Sequence, residues 1–356
     1  MTRNYLPGDE GPIIDCFLEC MGGWPALDLE VSPMDHWRWK FGHLVTMPDL
    51  TCIAVADGKV VSHHATIPTI TKIGRRCYMA SQNVDMCTLP DFRGQGIMGQ
   101  LLELHRRSSI LHNISIDYAF PNDKSRQLVS LNGYSGAEVK LNQFEFVADP
   151  DRFFTGASSR LKRIGYRVLS KIWSDPLEDT SITASSAQTF GREVDRLFAR
   201  ASAEFDFVVL RNKEYLNWRY GDRRGGPFNL RLFHDNGDLI GYMVTKREAI
   251  DGTPNVTIVD ILMDPDRLAD LPKLIDDAVV TARQEGAVVV SCCLPRDHPY
   301  AGSFRRAMFF ERPRYVGRKA ATMVFRSEDK GLEGLLASPT ARFHLTLGDT
   351  DWVCSV

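Results

Sequence analysis

Three glycines stand where a strand pattern gives way to a helix pattern, in the segment TLPDFRGQGIMGQLL that starts at Thr88. Gly94, Gly96 and Gly99 follow the apolar run and open the helical one. Backbone N–H groups at a helix N-terminus have no partner within the helix, and the helix dipole adds about half a positive charge there. Glycines leave those groups uncovered because they carry no side chain. The segment therefore predicts a site for a phosphate or pyrophosphate group.

Two other phosphate loops fit this segment less well. A P-loop has Lys and then Ser or Thr after its last glycine, whereas Ile97 follows Gly96 here. The glycines do satisfy the Gly-x-Gly-x-x-Gly spacing of dinucleotide-binding folds. That loop normally follows the first strand of its domain, whereas this one comes about 90 residues into the chain, behind a predicted hairpin.

Two aspartates lie on the predicted strands beside this loop. Asp85 stands five residues before Pro90, and Asp117 stands five residues before Asn122 in NISIDYAFPND. A carboxylate on an interior strand is costly to bury unless it is paired or faces a cleft, and a cleft can raise its pKa towards neutrality. Such a group suits proton acceptance, so each aspartate is a candidate general base. A hydrogen-bonded structural role stays open for both.

The eight cysteines include no Cys-x-x-Cys pair and are spread over the chain. This spacing predicts reduced core residues, with neither a disulfide framework nor a metal site. Cys87 is rejected as a covalent nucleophile because no histidine adjoins it in the sequence. His63 and His64 lie on a predicted hairpin strand, and we expect the inward-facing one to be structural, with a role as base the lesser alternative.

The elements that position these residues occur twice along the chain. Asp57–Lys59 and Asn236–Asp238 each lie between alternating apolar strands and predict hairpins with two-residue turns. Trp37–Trp39 is matched with Trp218–Tyr220, NVDMCTLPD with IVDILMDPD, and DYAFPND with SCCLPRD. The pairs follow one another in the same order at offsets of about 174 to 181 residues. This predicts two copies of one α/β unit, with two unrelated α/β halves as the alternative.

In the first copy we predict a helix over 96–112, a strand over 113–120 and a helix over 123–133 that stops at Gly133. A strand, a crossover helix and a second strand imply parallel pairing. In the second copy RLADLPKLIDDAVV replaces the glycine loop and carries acidic residues. We therefore expect one phosphate site, in the first copy. A basic amphipathic helix from Ser158 is predicted to connect the copies, with a membrane-surface role as the alternative.

Composition bounds the class of protein. The 356 residues are 44% hydrophobic and 25% charged, with a net charge of -2. The length favours two domains of about 150 residues each. The charge gives no basis for a nucleic-acid partner. The sequence has no run of about 18 apolar residues and no apolar N-terminal signal, so we expect a soluble, cytoplasmic protein without an integral membrane segment.

The segment RGQGIM from Arg93 to Met98 resembles the acyl-CoA loop of the GNAT N-acyltransferases. In that family a strand and a proline precede Arg/Gln-x-x-Gly-x-Gly/Ala, which opens a helix. Met98 departs from the usual small residue, and Gly99 follows it directly. A second landmark of the family is an asparagine after the next strand, and here Asn122 stands 11 residues before Gly133.

The resemblance implies an α/β (α+β) fold with two tandem GNAT-like domains. Each domain would be a mixed, mostly antiparallel sheet with a splayed parallel strand pair and flanking helices. The expected organisation is a GNAT domain with the acyl-CoA pyrophosphate loop over 1–150, a connector over 151–180, a degenerate GNAT-like domain without the loop over 181–330, and a tail packed on the domains over 331–356.

The resemblance also implies acetyl-CoA or another acyl-CoA as co-substrate, no metal, and direct attack of an amine of a small molecule on the thioester. The acceptor would be an amino sugar, an amino acid or an antibiotic-like metabolite. The catalytic candidates are Asp85 and Asp117 as bases and Tyr118 as acid, because Val129 stands at the family's usual tyrosine position; Tyr134 is a further candidate acid. The coenzyme would be held by Met86, Cys87, Thr88, Arg93, Gly94, Gln95, Gly96, Ile97, Met98, Gly99 and Asn122.

Other functions stay open at this point. Val129 favours a catalytically inactive acyl-CoA-binding or regulatory protein. An aminoacyl-tRNA-dependent peptidyl transferase of tandem GNAT type ranks lower, since such enzymes lack the intact loop and this chain has no basic excess. A C-terminal carboxylate at Val356 acting in the site ranks below a docked tail. The sequence determines neither the acceptor, nor the acyl chain length, nor the oligomeric state.

Overall fold

The computed structural model describes residues 1–24, 29, 31–42, 49–155, 161, 164–165, 181–250, 252–316 and 319–351. Most of the predicted connector helix and the C-terminal Val356 lie outside the described residues. Among the described residues, no helix has both the length and the apolar character needed to cross a bilayer.

The first half of the chain contains β1 (Thr2–Asn4), α1 (Glu10–Met21), α2 (Pro33–Phe41), β2 (Cys52–Ala56), β3 (Lys59–Ile73), β4 (Arg76–Thr88), α3 (Ile97–Leu111), β5 (Ile116–Ala119), α4 (Asp123–Leu131), β6 (Ser135–Val147) and α5 (Pro150–Phe153). The second half contains β7 (Ile182–Ala187), α6 (Glu193–Ala201), β8 (Phe207–Val209), α7 (Lys213–Leu216), β9 (Phe228–Asp235), β10 (Asp238–Ile250), β11 (Thr253–Met263), α8 (Leu271–Gln284), β12 (Val289–Pro295), α9 (Ala301–Arg306) and β13 (Phe310–Pro313). The C-terminal segment adds β14 (Tyr315–Val316), β15 (Lys319–Ala320), β16 (Thr322–Arg326), α10 (Lys330–Leu336), β17 (Phe343–His344) and a 3-10 turn (Leu347–Asp349).

The mixed α/β fold predicted from the sequence is confirmed, and the element order repeats. The series β2, β3, β4, α3, β5, α4, β6 corresponds to β9, β10, β11, α8, β12, α9, β13. Both hairpin turns are also confirmed, because Asp57, Gly58, Asn236 and Gly237 all have positive φ, as two-residue turns of this kind require.

Two tryptophans relate the halves to one another. The rings of Trp39 and Trp218 stack with their centroids 5.2 Å apart. Each indole N–H donates to the main-chain carbonyl of the other residue at 2.9 Å. This reciprocity places Trp39 opposite Trp218, at an offset of 179 residues. The sequence match of Trp37 with Trp218 stays a prediction; the tryptophan of the segment WRW that contacts Trp218 is Trp39.

Fifteen strands form one continuous sheet, whose main path has the order β1-β2-β3-β4-β5-β16-β6-β12-β11-β10-β9-β7. β8, β13 and β17 join it off this path, and β14 and β15 form a separate two-stranded sheet. β16, from the end of the chain, lies between β5 and the N-terminal part of β6. The C-terminal part of β6 pairs with β12 and also with β13. Each half therefore completes its sheet with a strand from the other. The domain boundaries stay a prediction.

The parallel strand pair of each half separates part-way along its length. β4 pairs with β5 over Ala80–Asn83, and β11 pairs with β12 over Asn255–Ile258. Beyond these points the ladders end among the described residues. We call the two openings the first and the second splay.

α1 packs on the face of β3 and β4 that carries His63 and Cys87, and α3 packs on the opposite face, where His64 contacts His105. Apolar side chains of β8, β16, β17 and α10 form a further cluster around β5. In the second half α8 and α9 pack on one face of β10–β12, and α6 packs on the other. The first splay therefore lies in a strand layer that is fixed on both faces.

Candidate functional site

The glycine loop exposes the N-terminus of α3. Gly94 and Gly96 have φ values of 76° and 75°, in the left-handed region that favours glycine. Gly96 is the N-cap residue of α3, and no side chain caps the helix there. A Cβ atom placed on Gly94, Gly96 or Gly99 would meet no atom within 4 Å. The first amides of α3 therefore face open space that a ligand can enter.

Two side chains of the glycine loop donate hydrogen bonds to main-chain carbonyls and fix its conformation. The Arg93 Nε donates to the Thr88 carbonyl at 2.9 Å, and the Gln95 Nε2 donates to the carbonyl four residues earlier at 3.1 Å. Ile97 and Met98 are half-buried and pack on the core under α3. The large side chain of Met98 is thus accommodated by the core, and the loop keeps its shape.

The first splay leaves one edge of β4 without a partner strand among the described residues. Met86, Cys87 and Thr88 lie on this edge, and their other side faces β3. The strand bulges at Asp85, which has a φ of 48°. Main-chain groups on such an edge can bind an extended ligand as an additional strand would. The edge leads directly to the glycine loop.

Asp85 is buried beside this edge and paired with Lys40. Their carboxylate oxygen and Nζ lie 2.7 Å apart, and each side chain is 5% exposed. Lys40 comes from α2, which begins where Ser32 accepts the N–H of Asp35 and Pro33 fills the first turn. A buried carboxylate needs such a partner. Sequence reasoning missed Lys40, whose only signal was a lysine within the aromatic run WRWKF.

Asp117 lies in a different environment, within a buried polar cluster. It accepts hydrogen bonds from Ser81 at 2.5 Å, from His105 at 3.1 Å and from Arg326 at 2.7 Å. Burial alone would raise the pKa of Asp117, but His105, Arg326 and Ser81 outweigh burial and hold that pKa well below its ordinary value. Asp117 is the register partner of Ser81. Ser81 precedes Asp85 on β4 by four residues, which is about 13 Å along the strand. This geometry favours a structural role over that of a base.

The residues considered for proton donation are buried. Tyr118 packs edge-on against Phe207 with centroids 5.7 Å apart, and burial raises the pKa of Tyr118 well above its ordinary value. Val129 faces the core of the first half. Tyr134 lies against the Arg326 guanidinium, 4.7 Å from the ring centroid, and burial raises its pKa also. Neither tyrosine is poised to give up a proton near neutral pH.

Asn122 is exposed at the start of α4. Its Oδ1 accepts the N–H groups of Lys124 and Ser125 at 3.0 Å each, so it caps the helix. Capping accounts for an asparagine at this position without a ligand. A role of Asn122 in coenzyme binding stays a prediction.

Cys87 has a histidine partner that the sequence did not reveal. The Cys87 Sγ lies 3.1 Å from the His63 Nδ1 and 3.9 Å from the Cys16 Sγ. His63 and Cys87 are register partners on β3 and β4. No histidine adjoins Cys87 in the sequence, but one does in the fold, so the rejection of Cys87 as a nucleophile cannot rest on a missing histidine. The Cys87 thiol is nevertheless buried beside Cys16 of α1.

No family model matches the sequence, and no curated protein matches it. Solved structures are similar over most of the chain. A GCN5-related N-acetyltransferase from Anabaena variabilis is 11% identical, with a TM-score of 0.67, over 95% of this chain and 74% of that one. A probable N-acyltransferase from Enterococcus faecalis is 12% identical, with a TM-score of 0.65, over 92% of this chain and 72% of that one. N-myristoyltransferase of Saccharomyces cerevisiae with bound myristoyl-CoA is 11% identical, with a TM-score of 0.58, over 91% of this chain and 77% of that one.

These similarities show that the chain has the GCN5-related N-acetyltransferase fold. Within this fold, the glycine loop before α3 and the first splay are two places where main-chain groups of the described residues are accessible to a ligand.

Proposed function

We propose that this protein is an acyl-CoA-dependent N-acyltransferase with a single coenzyme site at the glycine loop and the first splay. The observation that carries the proposal is the open N-terminus of α3, where Gly94, Gly96 and Gly99 leave space over the amides. A diphosphate bound there would gain charge-assisted hydrogen bonds and the favourable end of the helix dipole. The myristoyl-CoA complex of a protein with the same fold supports an acyl-CoA as the ligand.

The pantetheine arm would extend from the loop along Met86, Cys87 and Thr88. That edge of β4 carries main-chain groups on the side away from β3, and an extended amide chain is complementary to them. The thioester would then lie near the bulge at Asp85. Arg93, Gln95, Ile97, Met98 and Asn122 would support the loop and its surroundings.

In the proposed reaction a neutral amine attacks the thioester carbonyl, the C–N bond forms and the C–S bond breaks. The proton from the amine passes to Asp85, directly or through a water molecule. Lys40 would orient this carboxylate before the reaction. The coenzyme leaves as a thiolate, which needs no strong acid because a thiol pKa is about 8.5. This route is consistent with the burial of Tyr118 and with Val129 in place of the family's usual tyrosine.

The first test measures the role of the diphosphate. Calorimetric titration compares CoA with pantetheine, which lacks the diphosphate and the nucleotide. We expect CoA to bind at least about 100-fold more tightly, because several charge-assisted hydrogen bonds of about 1.5 to 3 kcal/mol each are lost with pantetheine. Equal affinities would contradict the proposed site.

The second test measures turnover. Free thiol released from acyl-CoAs, from acetyl to myristoyl, is followed with a panel of small amines. We expect Asp85→Asn to lower kcat by about 100-fold or more while CoA affinity is kept. Asp57→Asn, in an exposed hairpin turn, is the control and should leave both unchanged. Loss of CoA affinity together with kcat would instead give Asp85 a structural role.

An acyl-CoA-binding protein without turnover is the second candidate function. The observation that favours it is the burial of both tyrosines near the site, together with Val129. Tight binding of an acyl-CoA without thiol release for any amine would select this function.

A further inference from the structure

A helix and a strand pair bring four sulfur and imidazole side chains together behind β4. Cys16 and Cys20 lie one turn apart on α1, and His63 and Cys87 face one another across β3 and β4. Residues at i and i+4 share one face of a helix, and register partners share one face of a sheet. Small ββα units bind zinc in the same way, with two ligands from a helix and two from a strand pair.

The distances suit a tetrahedral ion. Cys16, His63 and Cys87 each offer one ligand atom, and these atoms lie within 4.8 Å of one another. The two sulfur atoms are 3.9 Å apart. A tetrahedral zinc with Zn–S bonds of about 2.3 Å holds its sulfur ligands about 3.8 Å apart. Cys20 lies one helical turn from Cys16 on α1 and is half-buried, outside this group of three, and it is assigned here as the fourth ligand.

The surroundings favour a soft, borderline metal ion. Cys16, His63 and Cys87 are buried, and the ring of Phe17 covers the imidazole with centroids 5.7 Å apart. Three thiols and one imidazole select zinc over the hard cations, which prefer oxygen. Cys20 is only half-buried, so it lies at the surface end of the cluster, where an ion can enter.

We propose that Cys16, Cys20, His63 and Cys87 form a structural zinc site. The ion ties α1 to β3 and β4, and so fixes the strand whose outer edge carries Met86 and Thr88. This is contrary to the expectation from the sequence that the chain holds no metal. The four ligands are side chains and the coenzyme would contact main-chain groups of β4, so the zinc site stands or falls independently of the acyltransferase proposal.

The test uses the full chain without an affinity tag that binds metal. After reconstitution with Zn²⁺ under reducing conditions and removal of excess ion, elemental analysis should find about one zinc per chain. Replacement of the zinc by Co²⁺ should give the visible absorption of a tetrahedral cobalt site and a charge-transfer band from thiolate to cobalt. A wild-type chain that takes up no zinc would overturn the proposal.

Matched cysteine variants locate the ion. Cys20→Ser changes the most accessible ligand, and we expect zinc affinity to fall at least about 100-fold while circular dichroism shows a folded chain. Cys16→Ser should lower the intensity of the cobalt charge-transfer band, because one of three thiolate ligands is lost. Cys77→Ser, at an exposed cysteine, and Cys52→Ala, at a buried cysteine outside the cluster, should change neither. Equal zinc content and affinity in the Cys16 and Cys52 variants would place the ion elsewhere and overturn the site.

Thiol titration of the denatured wild-type chain provides an independent reading. A zinc site requires Cys16 and Cys87 to be reduced, so all eight cysteines should react once the ion is chelated. A disulfide between Cys16 and Cys87 in the chain as purified would overturn the proposal and give the cluster a redox role.

Discussion

β4 and β5 separate after Asn83, and β11 and β12 separate after Ile258, but different chemistry lies beside the two splays. The first splay leads to a loop of glycines with exposed amides. At the second splay, the chain's own turn Leu347–Asp349 contacts both β11 and β12. The same strand arrangement thus leaves an open strand edge in one half and receives an internal segment in the other.

The aspartate on the bulged strand shows the same difference. Asp85 has Lys40 as its ion-pair partner. Asp260, its counterpart in the second half, is fully buried and accepts hydrogen bonds from Arg211 at 3.2 Å, from Tyr220 at 3.0 Å and from Thr346 at 3.3 Å. In the second half this position anchors the C-terminal turn. The same strand position thus holds an ion pair in the first half and anchors the chain's own C-terminal turn in the second.

A third difference lies where the strands are still paired. Ser81 and Asp117 are register partners in the first half, and Thr257 and Ser291 are register partners in the second. The second pair is neutral, with hydroxyl oxygens 3.1 Å apart. The first half has a buried charge at this level, which Arg326 from the exchanged strand β16 balances.

The largest expected effect on stability comes from Arg211, which joins the second splay to the C-terminal turn. Arg211 is fully buried and contacts the carboxylates of Asp260 and Asp349; burial opposes its charge, but these carboxylates prevail and raise the pKa of Arg211 well above its ordinary value. Arg211→Met would leave both carboxylates without it, so we expect the free energy of unfolding to fall by about 5 kcal/mol in urea titrations. Arg200→Met, which removes a 44% exposed partner of Asp264, should cost less than about 1 kcal/mol. Similar losses in the two variants would show that the second splay is not anchored in this way.

The next effect concerns Asp117 and its pH dependence. Asp117→Asn should lower the free energy of unfolding by about 3 kcal/mol at pH 7, because a buried ion cluster loses its only carboxylate. The pKa of Asp117 is lower in the folded chain than in the unfolded one, so its contribution is present above about pH 4 and is lost as the pH falls towards the folded pKa. The difference between wild type and variant should therefore shrink in acid. The control Asp91→Asn, at an exposed position, should match the wild type at every pH.

The proposed role of the glycine loop beside the first splay is tested by Gly96→Glu. The new side chain would cover the amides of α3 and place a negative charge among the phosphates, so we expect CoA affinity to fall about 100-fold by calorimetry. Gly237→Glu is a matched control, because Gly237 also has a positive φ, of 89°, and open space around it. Both variants carry the same backbone strain. Unchanged CoA affinity in the Gly96 variant would remove the basis of the coenzyme site.

The smallest expected effect is the loss of unfolding free energy when either tryptophan of the reciprocal pair is replaced, and it should be equal for the two residues. Trp39→Phe and Trp218→Phe each remove one indole N–H that donates to the carbonyl of the other residue. We expect each variant to lose about 1 kcal/mol of unfolding free energy, measured by urea titration. A loss confined to one variant would mean that the reciprocal contact is not energetically symmetric.

Local patterns in the sequence predicted the parts of this molecule that local physics determines. The helix after Gly96, the turn at Asp57 and Gly58, and the exposed loop amides follow from glycine conformation and apolar periodicity. The partners of the buried charges depend on tertiary packing. Lys40 and Arg326 lie 45 and 209 residues from the aspartates they contact, and no local pattern links such residues.

The cysteine cluster illustrates the same limit. The spacing of Cys16 and Cys20 on α1 was visible, but a pair at i and i+4 has no meaning until another element supplies further ligands. His63 and Cys87 become neighbours only through the register of β3 and β4. The exchange of β16 also escaped sequence reasoning, because a short apolar strand carries no signal about which sheet it joins.

The exchanged strand has a consequence for how the protein is made. β16 leaves the ribosome about two hundred residues after β5, the strand beside which it lies. At usual rates of elongation the nascent first half therefore waits on the order of 10 to 40 s with one strand position vacant. Throughout that interval β5 and β6 offer unsatisfied edges to other nascent chains, so synthesis of this protein should depend on chaperones more than its size alone would suggest.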